Sequence, residues 1–154
     1  MAVTKKQKFA FPKPDQLPEL AEFRFHLRRF LSFSETAAES VGISVQQYQL
    51  LQVVGTVPEG SVCSVSYIAD RMLLRHNSAV ELVDRAERSG LVRRIADEAD
   101  HRRSLVEATE RGELLLISLA EAHLKEIEKN GPELVRALQS IIDARQALRR
   151  SETQ

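Results

Sequence analysis

The chain has 154 residues, 43% hydrophobic and 29% charged, which suits one folded domain with appended helices. Lysine plus arginine and aspartate plus glutamate both number 22, so bulk charge offers nothing to a polyanion, and any nucleic-acid role must come from a local patch. No apolar run approaches the roughly 18 residues of a membrane span, "MAVTKKQKFAFPKP" lacks the apolar stretch of a signal peptide, and the single cysteine, Cys63, excludes an internal disulfide and fits a reducing cytoplasm.

Residues 1–18 hold Pro12, Pro14 and Pro18 among scattered lysines and are expected to form an extended arm. A long helix over about 19–42 follows, with Leu20, Phe23, Leu27, Phe30, Leu31, Ala37, Ala38 and Val41 at spacings of three and four, and Gly42 as its stop. Ser44 with Gln47 reads as a capping box for a second helix carrying Val45, Tyr48, Leu51 and Val54. "GTVPEG" is a turn and "SVCS" a stub of strand. Ser64 can cap a third helix, "VSYIADRML". A fourth, "HNSAVELVDRAERSG", has an apolar face of Ala79, Leu82, Val83 and Ala86 and ends at Gly90.

"LVRRIAD" and "RSLVEA" predict a β-hairpin with a charged tip. Thr109 then caps a fifth helix carrying Leu115, Leu116, Leu119, Leu124 and Ile127. Gly131-Pro132 is expected to start a sixth, with a stripe of Leu134, Val135, Leu138, Ile141, Ile142 and Leu148. The order is that of a mostly α fold. A winged helix-turn-helix over about 44–108 is flanked by long helices over about 19–42 and 109–150, all within one unit spanning 19–150.

With its apolar face inward, the fourth helix turns Asn77, Glu81, Asp84 and Arg88 outward, with Ser78 and Arg85 flanking them. A recognition helix needs polar groups at its exposed N-terminal positions, and His76, Asn77 and Ser78 supply them. Asparagine can bond adenine through two contacts, and glutamate can accept from cytosine N4. Taken alone, the pattern is more often that of an ordinary solvated helix face with His76 or Asn77 as its cap. The hairpin adds a second feature. Its tip gathers His101, Arg102 and Arg103, and an arginine there can enter a narrow minor groove, with Asp100 holding Arg102 by an ion pair. Arg94 and Arg103 are candidate phosphate anchors. The alternative is a charged turn that keeps a sheet edge soluble.

The stretch "VSYIADRMLLRHNSAVELVDRAERSGLVRRIADEADHRRSLVEATERGELLL" resembles the winged-helix core of MarR-type transcriptional regulators. The resemblance rests on Ile68-Ala69, on "LVDRAERSGLVRR", on the Asp-x-Arg of Asp100 and Arg102, and on Thr109-x-x-Gly112. Glu81 stands where such proteins often carry arginine, Asp84 adds a second acid, and Ala108 replaces a usual leucine. The resemblance implies a homodimer joined through its first, fifth and sixth helices, reading a palindrome in double-stranded DNA. It also implies a small aromatic effector, for which Phe30, Phe33, Tyr48 and Tyr67 are the candidate pocket, although such a set is more often core. Cys63 lies between Val62 and Val65, where a small apolar residue is expected, and reads as a buried structural cysteine rather than an oxidant sensor.

His26, His76, His101 and His123 show no metal-ligand spacing. No phosphate loop, nucleophile elbow or catalytic carboxylate pair occurs, so neither an enzyme nor a cofactor is expected. The sequence reads as a dimeric DNA-binding transcriptional regulator, a repressor relieved by a small ligand. The alternative is the same fold used as a protein–protein interaction module, for which Glu81 and Asp84 give support.

Overall fold

A computed structural model describes residues 14–152, so the proposed N-terminal arm lies outside the described residues up to position 13. The elements run α1 (Leu17–Ser40), α2 (Val45–Gly55), α3 (Val65–Met72), α4 (His76–Arg88), β1 (Val92–Ala96), β2 (Ser104–Ala108) and α5 (Glu110–Glu152). Helices α2 to α4 and the two-stranded hairpin make the winged helix-turn-helix. Among the described residues no helix is long and apolar enough to cross a membrane.

Two compact units are present. The larger, residues 30–128, is built around the fully buried side chains of Tyr48, Leu50, Leu51, Ile68, Leu82, Val83, Leu91 and Val92. Its helices start where the sequence signals a cap. Ser44 Oγ accepts from Gln47 N at 3.1 Å while the Gln47 side chain takes the Ser44 N–H at 3.0 Å. Ser64 Oγ likewise accepts from Tyr67 N, opening α3. Each cap satisfies donors that the first helical turn leaves orphaned. The apolar face foreseen for α4 is the buried one: Ala79, Leu82, Val83 and Ala86.

The hairpin is antiparallel, with Val92 opposite Ala108, Arg94 opposite Val106 and Ala96 opposite Ser104. The "SVCS" segment is reduced to a single bridge between Ser64 and Leu105, supported by the Val106 N–H donating to the Cys63 carbonyl at 2.8 Å. Thr109 ties the end of β2 to the end of α4. Its N–H donates to Leu91 O at 3.0 Å, its hydroxyl donates to Gly90 O at 2.6 Å, and Oγ1 accepts from Gly112 N at 3.1 Å. Arg111 adds a bond from its guanidinium to Ser89 O.

The smaller unit comprises residues 14–29 with 129–152. Arg29 donates there to Glu133 Oε2 at 3.0 Å and to Asn130 Oδ1 at 3.2 Å, and so bridges the two sides of Pro132. His26 lies 3.0 Å from Glu22 and 3.5 Å from Glu133.

Three expectations change. The first helix starts at Leu17, not near 19, with Pro18 inside its first turn, where a missing N–H costs nothing because that donor has no helical partner. The fifth and sixth helices are one, α5, which runs through Gly131-Pro132. Proline in a helix interior costs about 3 kcal/mol, and the Arg29 bridge gives that turn support from outside the helix. Finally, α3 ends at Met72, and Leu73 forms its cap in the left-handed conformation at φ 54°.

Candidate nucleic-acid interface

Helix α4 begins from Arg75, whose side chain makes no capping bond, so the N-terminal N–H groups are not covered by their own cap residue. His76, Asn77, Ser78, Glu81 and Arg85 are all exposed along the helix that follows. Asp84 and Glu87 do not share their freedom. Arg94 of β1 reaches both, with its guanidinium 2.7 Å from Asp84 Oδ1 and 2.7 Å from Glu87 Oε2, and its backbone N–H also donates to Glu87. Partial burial works against the Arg94 charge, but the bonds to the two carboxylates more than offset it, so its pKa moves up. Arg94 is thus engaged within the lobe, as a brace between the wing and the recognition helix.

The hairpin tip is closed by its own aspartates. Asp100 Oδ1 accepts from the Arg102 backbone N–H at 3.1 Å and from Arg102 Nε at 3.1 Å. Arg102 keeps most of its side chain in water, at 92% exposure, so the pair orients the guanidinium without hiding it. Asp97 is different: its side chain is only 5% exposed, it pairs with Arg103, and its Oδ1 also accepts from Ala99 N at 2.9 Å. The Arg103 side-chain bond, then the Ala99 N–H, hold the Asp97 carboxyl below the usual carboxylate range. Asp100 is lowered in the same sense, first by the Arg102 side chain and then by its backbone N–H. His101 is exposed at the tip.

A cleft of about 440 Å³ lies where these parts meet, lined by Ser64, Ser66, His76, Arg94, Arg102 and Arg103 together with Val65, Val80 and Ser104. It joins the start of α3, the start of α4 and both strands of the wing into one concave face carrying three arginines.

The sequence pointed to Asp100 with Arg102 and to the exposed start of α4. It did not point to Asp97, nor to the engagement of Arg94 and Arg103. A cross-strand signal existed for Asp97. With Ala96 opposite Ser104, the next pair outward is Asp97 and Arg103, of opposite charge, as Arg93 and Glu107 are further down the same ladder.

The four aromatic residues proposed for an effector pocket divide. Phe30, Phe33 and Tyr48 surround the buried ring of His123 at centroid distances of 5.9, 5.2 and 4.7 Å. His123 Nδ1 is 2.7 Å from Leu119 O and Nε2 is 2.9 Å from Ser34 Oγ. Tyr67 makes none of these ring contacts and packs against the main core from α3. Burial raises the Tyr48 pKa, and Gln52 donates to its hydroxyl at 3.3 Å. Cys63 is buried, and burial pushes its thiol up to about 11.

Comparison with known proteins agrees with the fold. Residues 41–103 match the family model described as MarR family. A protein of Thauera aromatica, named as a transcriptional regulatory protein for the hcr operon, is 30% identical over 110 residues, which are 68% of this chain and 64% of that protein. The chain therefore matches a little under two thirds of that relative's length. AbsC of Streptomyces coelicolor, a MarR family transcriptional regulator, superposes with a TM-score of 0.65 at 22% identity over 89% of this chain and 99% of that one. A mutant MarR from E. coli, complexed with operator DNA, does so at 0.63 and 15% identity over 83% and 93%. The family match spans α2 to the wing tip, and the two solved structures superpose over 83–89% of the chain. Residues 41–103 thus resemble the MarR family, and the chain as a whole has the fold of solved MarR-family structures.

Proposed function

We propose that this chain is a sequence-specific, double-stranded-DNA-binding transcriptional regulator that acts as a homodimer, represses from a palindromic operator and is released by a small aromatic ligand. The observation that carries this is the convergence of His76, at the exposed polar start of α4, with Arg102 on one concave face. His76, Asn77, Ser78, Glu81 and Arg85 would meet base edges in the major groove, and His101 and Arg102 the adjacent minor groove. Solved structures of the same fold include a mutant MarR complexed with operator DNA and a mutant MepR of S. aureus bound to an oligodeoxyribonucleotide, which supports the assignment of a partner.

A two-fold operator calls for a two-fold protein. Apolar side chains exposed on the long helices support that pairing: Leu20, Phe25, Leu124, Val135, Leu138 and Ile142. An aromatic effector would enter by displacing the rings packed on His123, the cluster that contains three of the four candidate residues. The interaction-module alternative rested on Glu81 and Asp84, and Asp84 is now neutralised by Arg94.

Selection of bound duplexes from a random pool, with sedimentation of the free protein, tests the reading. A two-fold logo with half-sites about 10 base pairs apart is expected, read by a dimer. Arg102→Ala should weaken binding by about 1–3 kcal/mol with the fold intact. No enrichment above random sequence would refute sequence-specific binding, and a monomer at micromolar concentration would refute the dimer.

A further inference from the structure

The wing tip, residues 97–103, contains neither glycine nor proline. With no backbone-determined turn residue there, its shape must come from side chains. Two aspartates supply it. Asp100 accepts the Arg102 N–H through its side chain and the Arg103 N–H through its carbonyl, the latter at 3.1 Å. Asp97 accepts from Ala99 N and from the Arg103 guanidinium, while its own N–H points to Arg103 O at 3.4 Å. Asp97 is the buried member and Arg103 the half-exposed one. A carboxylate that has lost its water needs that partner. The pair sits one step beyond the last ladder position, where it clamps both strands at the root of the tip.

We propose that Asp97 is a positioning residue for DNA recognition: through Arg103 it holds the wing tip in the one shape that presents Arg102 outward. Arg103 is then a strut, not a phosphate anchor. A tip ordered before binding has no ordering cost left to meet on the DNA, whereas a loose tip must meet it on every encounter. The inference rests on the DNA-binding reading given above.

The charge arithmetic makes it testable. Asp97→Asn keeps the shape of the side chain and its acceptor for Ala99 N, but frees the Arg103 charge. If charge alone governed the wing, one added net positive charge would tighten binding and steepen its salt dependence. Positioning requires the opposite: Asp97→Asn should weaken binding about tenfold, with no gain in salt slope. Arg103→Ala should weaken it by a similar factor, and the double variant no further, since both act through one contact.

The deciding measurement is made in the Arg102→Ala background, where the presented group is gone. There Asp97→Asn should lose its effect on affinity, while a merely structural lesion would keep it. Affinities are measured on the selected duplex by fluorescence anisotropy across a salt series, with circular dichroism confirming the fold. If Asp97→Asn does not fold, Arg103→Ala, which removes the exposed partner, carries the same comparison. Tighter binding by Asp97→Asn, an undiminished effect in the Arg102→Ala background, or a salt slope about one unit lower in Arg103→Ala overturns the proposal. Failure of the wild-type chain to bind any duplex refutes the DNA-binding reading itself, and is distinguished by that control.

Discussion

Gly112 closes the junction on which the wing depends, and Gly112→Ala should cost about 2–4 kcal/mol of folding stability. A Cβ built at Gly112 would stand 3.0 Å from Leu51 Cδ2 and 3.1 Å from the carbonyl carbon of Leu91, and deep inside the van der Waals shell of Leu91 O. Leu51 can turn slightly, but Leu91 is main chain and fully buried at the exit from α4. Relief requires the carbonyl to withdraw by about an ångström from the same position where it accepts the Thr109 N–H at 3.0 Å. Overpacking of this kind costs about 1–3 kcal/mol. Loss of the Thr109 bond adds about 1 kcal/mol, and displacement of the Thr109 cap on Gly112 N about another 1 kcal/mol. Against these stands about 1 kcal/mol gained by alanine over glycine inside a helix. Urea denaturation followed by circular dichroism reads the difference directly, and the melting temperature should fall by about 6–12 °C. Gly55→Ala is the comparison: its added Cβ meets only the flexible end of Leu116, at 2.5 Å from Cδ2, so repacking can relieve it. A Gly112→Ala variant within about 0.5 kcal/mol of the parent would refute the account of this junction.

Other consequences can be checked with single variants. Leu73 is 92% exposed and holds a left-handed backbone that disfavours leucine, so Leu73→Asn should stabilise the chain by about 0.5–1 kcal/mol in the same denaturation assay, and a loss of stability would show that the side chain makes a contact. Cys63, buried and with its thiol raised to about 11, should react with iodoacetamide at pH 8 only after urea is added; rapid modification of the native chain would contradict its burial. Glu81→Gln replaces an acceptor-only group on the exposed face of α4 and should alter one base in each half-site of the selected logo, with slightly higher affinity for random duplex; identical logos would remove Glu81 from the reading residues. Asp97 and Asp100 both have lowered carboxyl pKa values, so their contribution to stability is fully present above the ordinary carboxylate range, neutral pH included. It declines as pH falls from that range down through their depressed values, and Asp97→Asn should flatten this acid limb of the stability profile.

The parts legible in the sequence are those set by short-range pattern. The 3.6-residue period of Ala79, Leu82, Val83 and Ala86 fixes which face of α4 is buried. The Ser44–Gln47 box and the Ser64 cap fix two helix starts, and Thr109-x-x-Gly112 marks the entry to α5. What was not legible depends on partners far along the chain. Pro132 reads locally as a helix start, but Arg29, about a hundred positions away, reaches Asn130 and Glu133 on either side of it. Arg94 reads locally as a free cation. Its meeting with Asp84 and Glu87 follows from how β1 packs on α4, which no local pattern states. Tyr67 was grouped with Phe30, Phe33 and Tyr48 because it is aromatic, but the cap at Ser64 sets its place on α3, and the ring cluster forms around His123 instead. The reason for glycine at 112 is likewise tertiary: the motif is visible in the sequence, but the Leu91 carbonyl that requires it is not.

The equal numbers of acids and bases have a structural meaning once these contacts are drawn. Arg93 meets Glu107, Arg94 meets Asp84 and Glu87, and Arg103 meets Asp97. Much of the positive charge of the lobe is therefore used internally, to fix the angle between wing and helix and the shape of the wing tip. A surface of this kind attracts phosphate weakly at long range, because attraction to any duplex scales with the charges left unpaired. It gains instead in definition. Each braced arginine removes a freedom that would otherwise be frozen at the moment of binding. The residues left exposed, His76, Asn77, Ser78, Glu81 and Arg85 on the helix and His101 and Arg102 on the wing, would thereby be presented on a rigid frame. For a protein that must separate one site from a genome of competitors, the ratio of specific to nonspecific affinity matters more than either value alone. Under the proposed function, internal pairing lowers the nonspecific term while preorganisation protects the specific one, which is how a chain without net charge would select one stretch of DNA.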